Sequence, residues 1–157
     1  MIGQRIRVLV LALAVVAGPA TAALHAEADG GLETVATSKS FAELQTALEA
    51  AVKASGMVVV TRACASCGAA KRGVDIAGNM VVGVYRNDFA VRMLQASVPA
   101  GIEAPIRFYL TENDDGSASL SYRLPSKVFA PYGSGELDAM ARELDAIWMT
   151  IIAAATS

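Results

Sequence analysis

The chain is poor in the residues that most enzymes rely on. Its single histidine, His25, stands upstream of everything that reads as folded domain. Without an imidazole the domain has no side chain that titrates unperturbed near neutral pH, so Ser–His and Cys–His mechanisms are excluded. Nothing beside His25 completes a metal coordination sphere, and it reads as a solvated tail residue rather than a ligand. Aromatic residues make up only 6% of the chain. Cysteine occurs twice, at Cys64 and Cys67, which is two ligands short of a structural zinc site. Charge of neither sign dominates: 13 basic side chains stand against 15 acidic ones, without a basic run. Nucleic acid and anionic membrane surfaces are therefore poor partners. A long hydrophobic run is missing as well. The longest, residues 8–17, is about half the roughly 20 residues that a bilayer requires.

That short run is informative all the same. Arg5 and Arg7 precede it without an acid, and Gly18-Pro19-Ala20-Thr21-Ala22 follows with small residues spaced for a signal peptidase. Basic, apolar and cleavage regions in this order make residues 1–22 a signal peptide, the cut falling as late as residue 26. No cysteine lies near the cut to receive a lipid. The expected product is periplasmic or secreted, has no membrane span after processing, and keeps about 130 residues. Removing Arg5 and Arg7 moves the net charge from −2 to −4, and the mean hydropathy of +0.44 is inflated by the leader. Residues 23–31 are small, polar and acidic, and read as a flexible mature N-terminus; residues 32–155 have the size of one domain. A chain of that length buries roughly two thirds of its unfolded surface and needs neither metal nor disulfide to fold.

Residues 32–37 alternate weakly and predict an opening strand. Ser40 and Glu43 match a capping box. Phe41, Leu44, Leu48 and Val52 follow at helical spacing, and Gly56 is placed to close that helix in a left-handed turn. Residues 57–61 are a β-branched run that reads as a well-buried strand. Residues 62–78 hold both cysteines and three glycines and read as irregular. A strand over 80–85 precedes a short helix over 89–96, with Asp88 as its cap. Residues 105–111 and 118–124 alternate with period two around Asn113-Asp114-Asp115-Gly116, which predicts a hairpin with one face on the core and one in water. Pro125 and Pro131 bound a loop, and a final helix over 136–154 carries a wide apolar stripe. The fold class is α+β: a mostly antiparallel sheet of about five strands with helices on one face.

Several residues fall in a familiar order and spacing. They are Leu94-Gln95 in the short helix, Pro99-Ala100-Gly101-Ile102 after it, Ala104-Pro105-Ile106 at the next strand, and Tyr122, Pro125, Ala130 and Tyr132. Residues 41–60 followed by Arg62, and residues 81–84, continue the pattern. Over about 41–132 the chain resembles the family of the domain of unknown function 302. The resemblance implies a compact fold similar to the TATA-binding-protein-like arrangement of strand, helix, four strands and helix. It implies no reaction, and nothing in the chain itself calls for a cofactor. Members commonly carry an acidic residue and a histidine just after the arginine of the second strand. Those positions here read Cys64-Ala65, so no role of that pair is carried over.

Cys64-Ala65-Ser66-Cys67 leaves three readings open. One is a local disulfide, the usual state in an exported protein, stabilising by only about 2 kcal/mol for so short a loop. Another is a thiol–disulfide redox site, with Lys71 and Arg72 nearby to add positive potential. Thioredoxin-like sites open a long helix, however, and Gly68, Gly73 and Gly78 argue against one here. The third is a soft-metal site for copper(I), or for zinc shared between two copies. Arg62, Arg107 and Arg123 are candidates for an anion-binding face, although arginines on the wet side of a sheet are mostly solvated. Asp114 and Asp115 read as turn formers, and Met57, Met80, Met93 and Met140 as core. Tyr85, Tyr109, Tyr122 and Tyr132 are candidate pocket residues. The reading is an exported, non-enzymatic binding or accessory domain for a small molecule or protein partner, open to homodimerisation, with Cys64 and Cys67 oxidised.

Overall fold

The computed structural model describes residues 30–157, so the expected signal peptide, its cleavage site and His25 lie outside the described residues. Gly30 and Gly31 form a turn at positive φ that leads into β1, Leu32–Ala36. Helix α1, Phe41–Ala54, follows through the expected capping box. The Glu43 amide donates to Ser40 Oγ at 3.4 Å, and the Ser40 amide donates to Glu43 Oε2 at 2.8 Å. The Ser40 hydroxyl donates to the same carboxylate oxygen at 2.7 Å, and this bond first, then the one from the Ser40 amide, holds the Glu43 carboxyl below its ordinary range. Gly56, at φ +71°, turns the chain out of the helix. Next come β2 (Val58–Cys64), a short helix α2 (Ala65–Ala70), β3 (Asn79–Tyr85), α3 (Asn87–Ala96) and a 3₁₀ turn, Val98–Glu103. The hairpin of β4 (Ile106–Glu112) and β5 (Ala118–Arg123) leads through α4 (Pro125–Phe129) and a second 3₁₀ turn to α5, Gly135–Thr156.

The five strands form one sheet in the order β1-β5-β4-β3-β2, antiparallel at every step. Helices α1 and α5 pack on each other and across one face. Between layers lie Leu44 and Leu48 of α1, Val82 and Phe108 of the sheet, and Leu137 and Trp148 of α5, all fully buried. Trp148 stacks on Phe108 with ring centroids 4.2 Å apart. The four core methionines are buried as expected. Among the described residues no helix is long and apolar enough to cross a membrane.

Four local expectations are corrected. Strand β2 is not well buried. It is a sheet edge with a bulge between Val59 and Thr61, and Val58 and Val60 are exposed. Its β-branched residues suit the pleat whether or not both faces are covered, and bulges are usual at edges. Helix α3 starts at Asn87, one residue before Asp88, and has no side-chain cap; Asp88 instead pairs with Arg86 at 2.8 Å in the first turn. The stretch expected as a loop between Pro125 and Pro131 is α4, with Pro125 in its first turn where a missing N–H costs nothing. Finally, Ser119 and Ser121 lie on the face away from the helices, as expected, but are buried there rather than in water. Strand β5 is flanked by β1 and β4, and the two hydroxyls are buried against Asn113 Oδ1 at 3.0 Å and Thr34 Oγ1 at 2.8 Å.

Candidate functional site

Two places gather the chemistry of the chain. The first is the cysteine turn at the end of β2. Cys64 is the last residue of β2 and the N-cap of α2, its Sγ accepting the Cys67 amide at 3.1 Å. The two sulfurs are within disulfide distance, with Cα atoms 5.3 Å apart. This segment was expected to be irregular, yet Ala65, Ala69 and Ala70 favour helix and carry six residues of it. Gly73, at φ +72°, then stops it, so no long helix follows. Ser66 anchors the turn to the sheet. Its hydroxyl lies 3.5 Å from Cys64 Sγ and accepts the Asn79 amide, the first of β3, at 3.2 Å. The loop after α2 is held by a reciprocal pair: the Gly78 amide donates to Glu112 Oε2 at 2.6 Å and the Glu112 amide to Gly78 O at 2.8 Å. Gly78 has to be glycine here, because a Cβ would sit 2.6 Å from Phe41 Cγ. The sulfurs differ in surroundings. Cys64 is half-buried against the core and Cys67 is exposed. Lys71 and Arg72 are exposed too. Among the described residues no three His, Cys, Asp or Glu side chains converge as metal ligands.

The second place is the uncovered face of the sheet. Side-chain alternation sends Arg107 and Tyr109 of β4, and Ser121 and Arg123 of β5, away from the helices. The β4–β5 ladder runs only from Glu112↔Ala118 to Phe108↔Tyr122, so Arg107 and Arg123 lie past its last paired position. Where the strands part there is a cavity of about 400 Å³. Its lining is apolar from Leu32, Val81, Ile106 and Val128, and polar or charged from Glu103, Arg107, Tyr122 and Arg123. Arg107 Nη2 is 3.7 Å from Glu103 Oε2, while Glu103 Oε1 accepts the Tyr132 hydroxyl at 2.9 Å. That bond holds the Tyr132 hydroxyl above its ordinary range. Arg123 Nε donates to Gly30 O at 3.0 Å. Tyr122 donates to Glu33 Oε2 at 2.8 Å; burial, and then this bond, push its hydroxyl up to about 12.

The family of these elements is decided by a pattern over nearly the whole described fold. Residues 33–155 match the family described as domain of unknown function DUF302. The chain belongs to the DUF302 family. It is also similar to the crystal structure of an uncharacterized conserved DUF302 protein from Bacillus stearothermophilus. The TM-score is 0.71 over 81% of this chain and 98% of that one, at 16% identity. At that identity the likeness shows the fold alone. No curated protein matches the chain.

Of the three arginines singled out in the sequence, this DUF302 chain brings two together. Arg62 points to the helix side, where it forms a two-pronged pair with Glu49 of α1 at 2.8 Å. That pair lowers the Glu49 carboxyl, chiefly through its hydrogen bonds. Tyr109 and Tyr122 share the cavity with Arg107 and Arg123, whereas Tyr85 reaches Asn87 Oδ1 at 3.3 Å. Asp114 and Asp115 stay in their turn, closed by Gly116 at φ +81° and by the Ser117 amide on Asp115 Oδ1 at 3.0 Å. Sequence reasoning missed Glu103 and Asn79. Glu103 carried one usable signal, its four-residue spacing from Arg107. Asn79 carried none, although its amide side chain donates to the Tyr109 hydroxyl while its backbone binds Ser66.

Proposed function

We propose that this DUF302 chain is an exported, non-enzymatic binding domain that takes its ligand on the uncovered sheet face, with Cys64–Cys67 as a local covalent pin. The observation that carries the reading is the cavity where β4 and β5 part, since it gathers charged, hydroxyl and apolar side chains from six segments. The leader supports export, and export supports an oxidised pair. The test is turnover of a protein disulfide, such as insulin, by the purified mature chain in the presence of a thiol. No turnover above the thiol alone is expected. Turnover that vanishes in Cys64→Ser would overturn the reading.

One observation favours a second reading, thiol–disulfide exchange: the unequal exposure of the two sulfurs. An incoming thiolate would attack the exposed Cys67 Sγ and form a mixed disulfide there. The Cys64–Cys67 bond breaks, and its electron pair leaves on Cys64 as a thiolate that keeps the Cys67 amide hydrogen bond at 3.1 Å. This reading requires a trapped mixed disulfide on Cys67 in a Cys64→Ser variant, with none on Cys64 in Cys67→Ser.

A further inference from the structure

We propose that the cavity between the parted ends of β4 and β5 is a binding site for a small carboxylate with an apolar body. This rests on the binding-domain reading and names the class of ligand. The volume of about 400 Å³ falls within the range of small-molecule sites, roughly 300–1,000 Å³. Four of the cavity's lining residues are apolar, Leu32, Val81, Ile106 and Val128. These side chains accommodate a hydrocarbon portion. The charged lining supplies what a carboxylate needs. Arg107 presents a planar fork of donors, the geometry that carboxylates engage in pairs.

Glu103 does not saturate that fork. Its carboxylate is 3.7 Å from Arg107 Nη2, against about 2.7–2.9 Å for a full charge-assisted bond, and its other oxygen is occupied by Tyr132. The pairs elsewhere in the chain show the difference, since Arg92 closes on Glu143 at 2.7 Å through both nitrogens. Tyr109 adds a hydroxyl that accepts from Asn79 and keeps its own hydrogen to donate. Arg123 lines the opposite wall, its Nε oriented by Gly30 O. One guanidinium with open donors, a second across the gap and an oriented hydroxyl thus share the cavity with an apolar lining. A bare inorganic anion would leave that lining unused, and a neutral alcohol would leave the Arg107 fork unused.

The experiment is a titration of the mature protein, with the disulfide intact, using octanoate, 1-octanol and inorganic phosphate. Backbone amide shifts are followed by nuclear magnetic resonance. Octanoate is expected to give saturable shifts centred on Arg107, Tyr109, Ser121 and Arg123, with weaker binding of octanol and phosphate by tenfold or more. Arg107→Ala is expected to weaken octanoate at least tenfold with an unchanged melting midpoint, because the side chain is 60% exposed and its one ion pair is long, at 3.7 Å. Arg62→Ala, on the opposite face, is expected to bind octanoate as the parent does. Equal affinity for octanol, equal affinity for phosphate, unchanged octanoate affinity in Arg107→Ala, or no saturable shift at these amides would overturn the proposal. Octanol binding at the same amides as tightly as octanoate would sink the carboxylate while leaving the binding-domain reading standing. Insulin turnover lost in Cys64→Ser would sink that reading whatever octanoate does.

Discussion

Single residues carry the first tests. Tyr122 is 4% exposed, donates to Glu33 and holds its proton to about 12 in the folded chain, against 10.0 when unfolded. The folded state therefore binds this proton more tightly. The stability that this contributes is fully present below pH 10 and drains away as pH rises from 10 to about 12. Melting midpoints taken across that interval are expected to fall more steeply for the parent than for Tyr122→Phe, which has no proton to lose. Parallel curves would contradict the assignment. Cys64 offers a second test, since serine is itself a good N-cap and can accept the Cys67 amide. Cys64→Ser thus removes the covalent link with little else. By chain entropy it is expected to cost about 2 kcal/mol, or roughly 5–10 °C in melting midpoint, with the fold retained. Loss of folding would show that the link does more than pin a turn.

At the scale of elements, what could be read in the sequence was what local rules determine. The Ser40–Glu43 box starts α1, Gly56 ends it, and the Asn113–Gly116 turn joins β4 to β5, because in each the deciding atoms lie within a few residues. Ser40→Ala is accordingly expected to cost about 1 kcal/mol in a denaturant titration, and Ser40→Asp to recover only part of that, since aspartate caps the helix but would face the Glu43 carboxylate that now accepts the Ser40 hydroxyl at 2.7 Å. What could not be read depended on neighbours distant in the chain. The exposure of β2 follows from its place at the sheet edge, which no property of the β-branched run encodes. The burial of Ser119 and Ser121 follows from β1 lying beside β5. Alternation put Arg107 and Tyr109 on one face, but the parting of β4 and β5 that makes a cavity beside them is a matter of how far the ladder extends. Arg62 was misplaced with them because the bulge in β2 shifts the register of the strand.

For the molecule as a whole, two helices cover one side of a five-stranded sheet and leave the other side for chemistry. The cysteine turn sits at one border of that side, and Ser66, Asn79 and Tyr109 link it by hydrogen bonds to the strands that floor the cavity. In a binding domain the disulfide holds this border in place. In an exchange catalyst it would be the reactive centre, and its position at the border would be incidental. The two roles separate in the reduction potential of the Cys64–Cys67 pair. It can be measured by equilibrating the chain from residue 23 onward in graded thiol buffers and counting alkylated cysteines by intact mass. A potential below about −300 mV, that of a structural bond, is what the account predicts; one above about −230 mV, among the exchange catalysts, would contradict it.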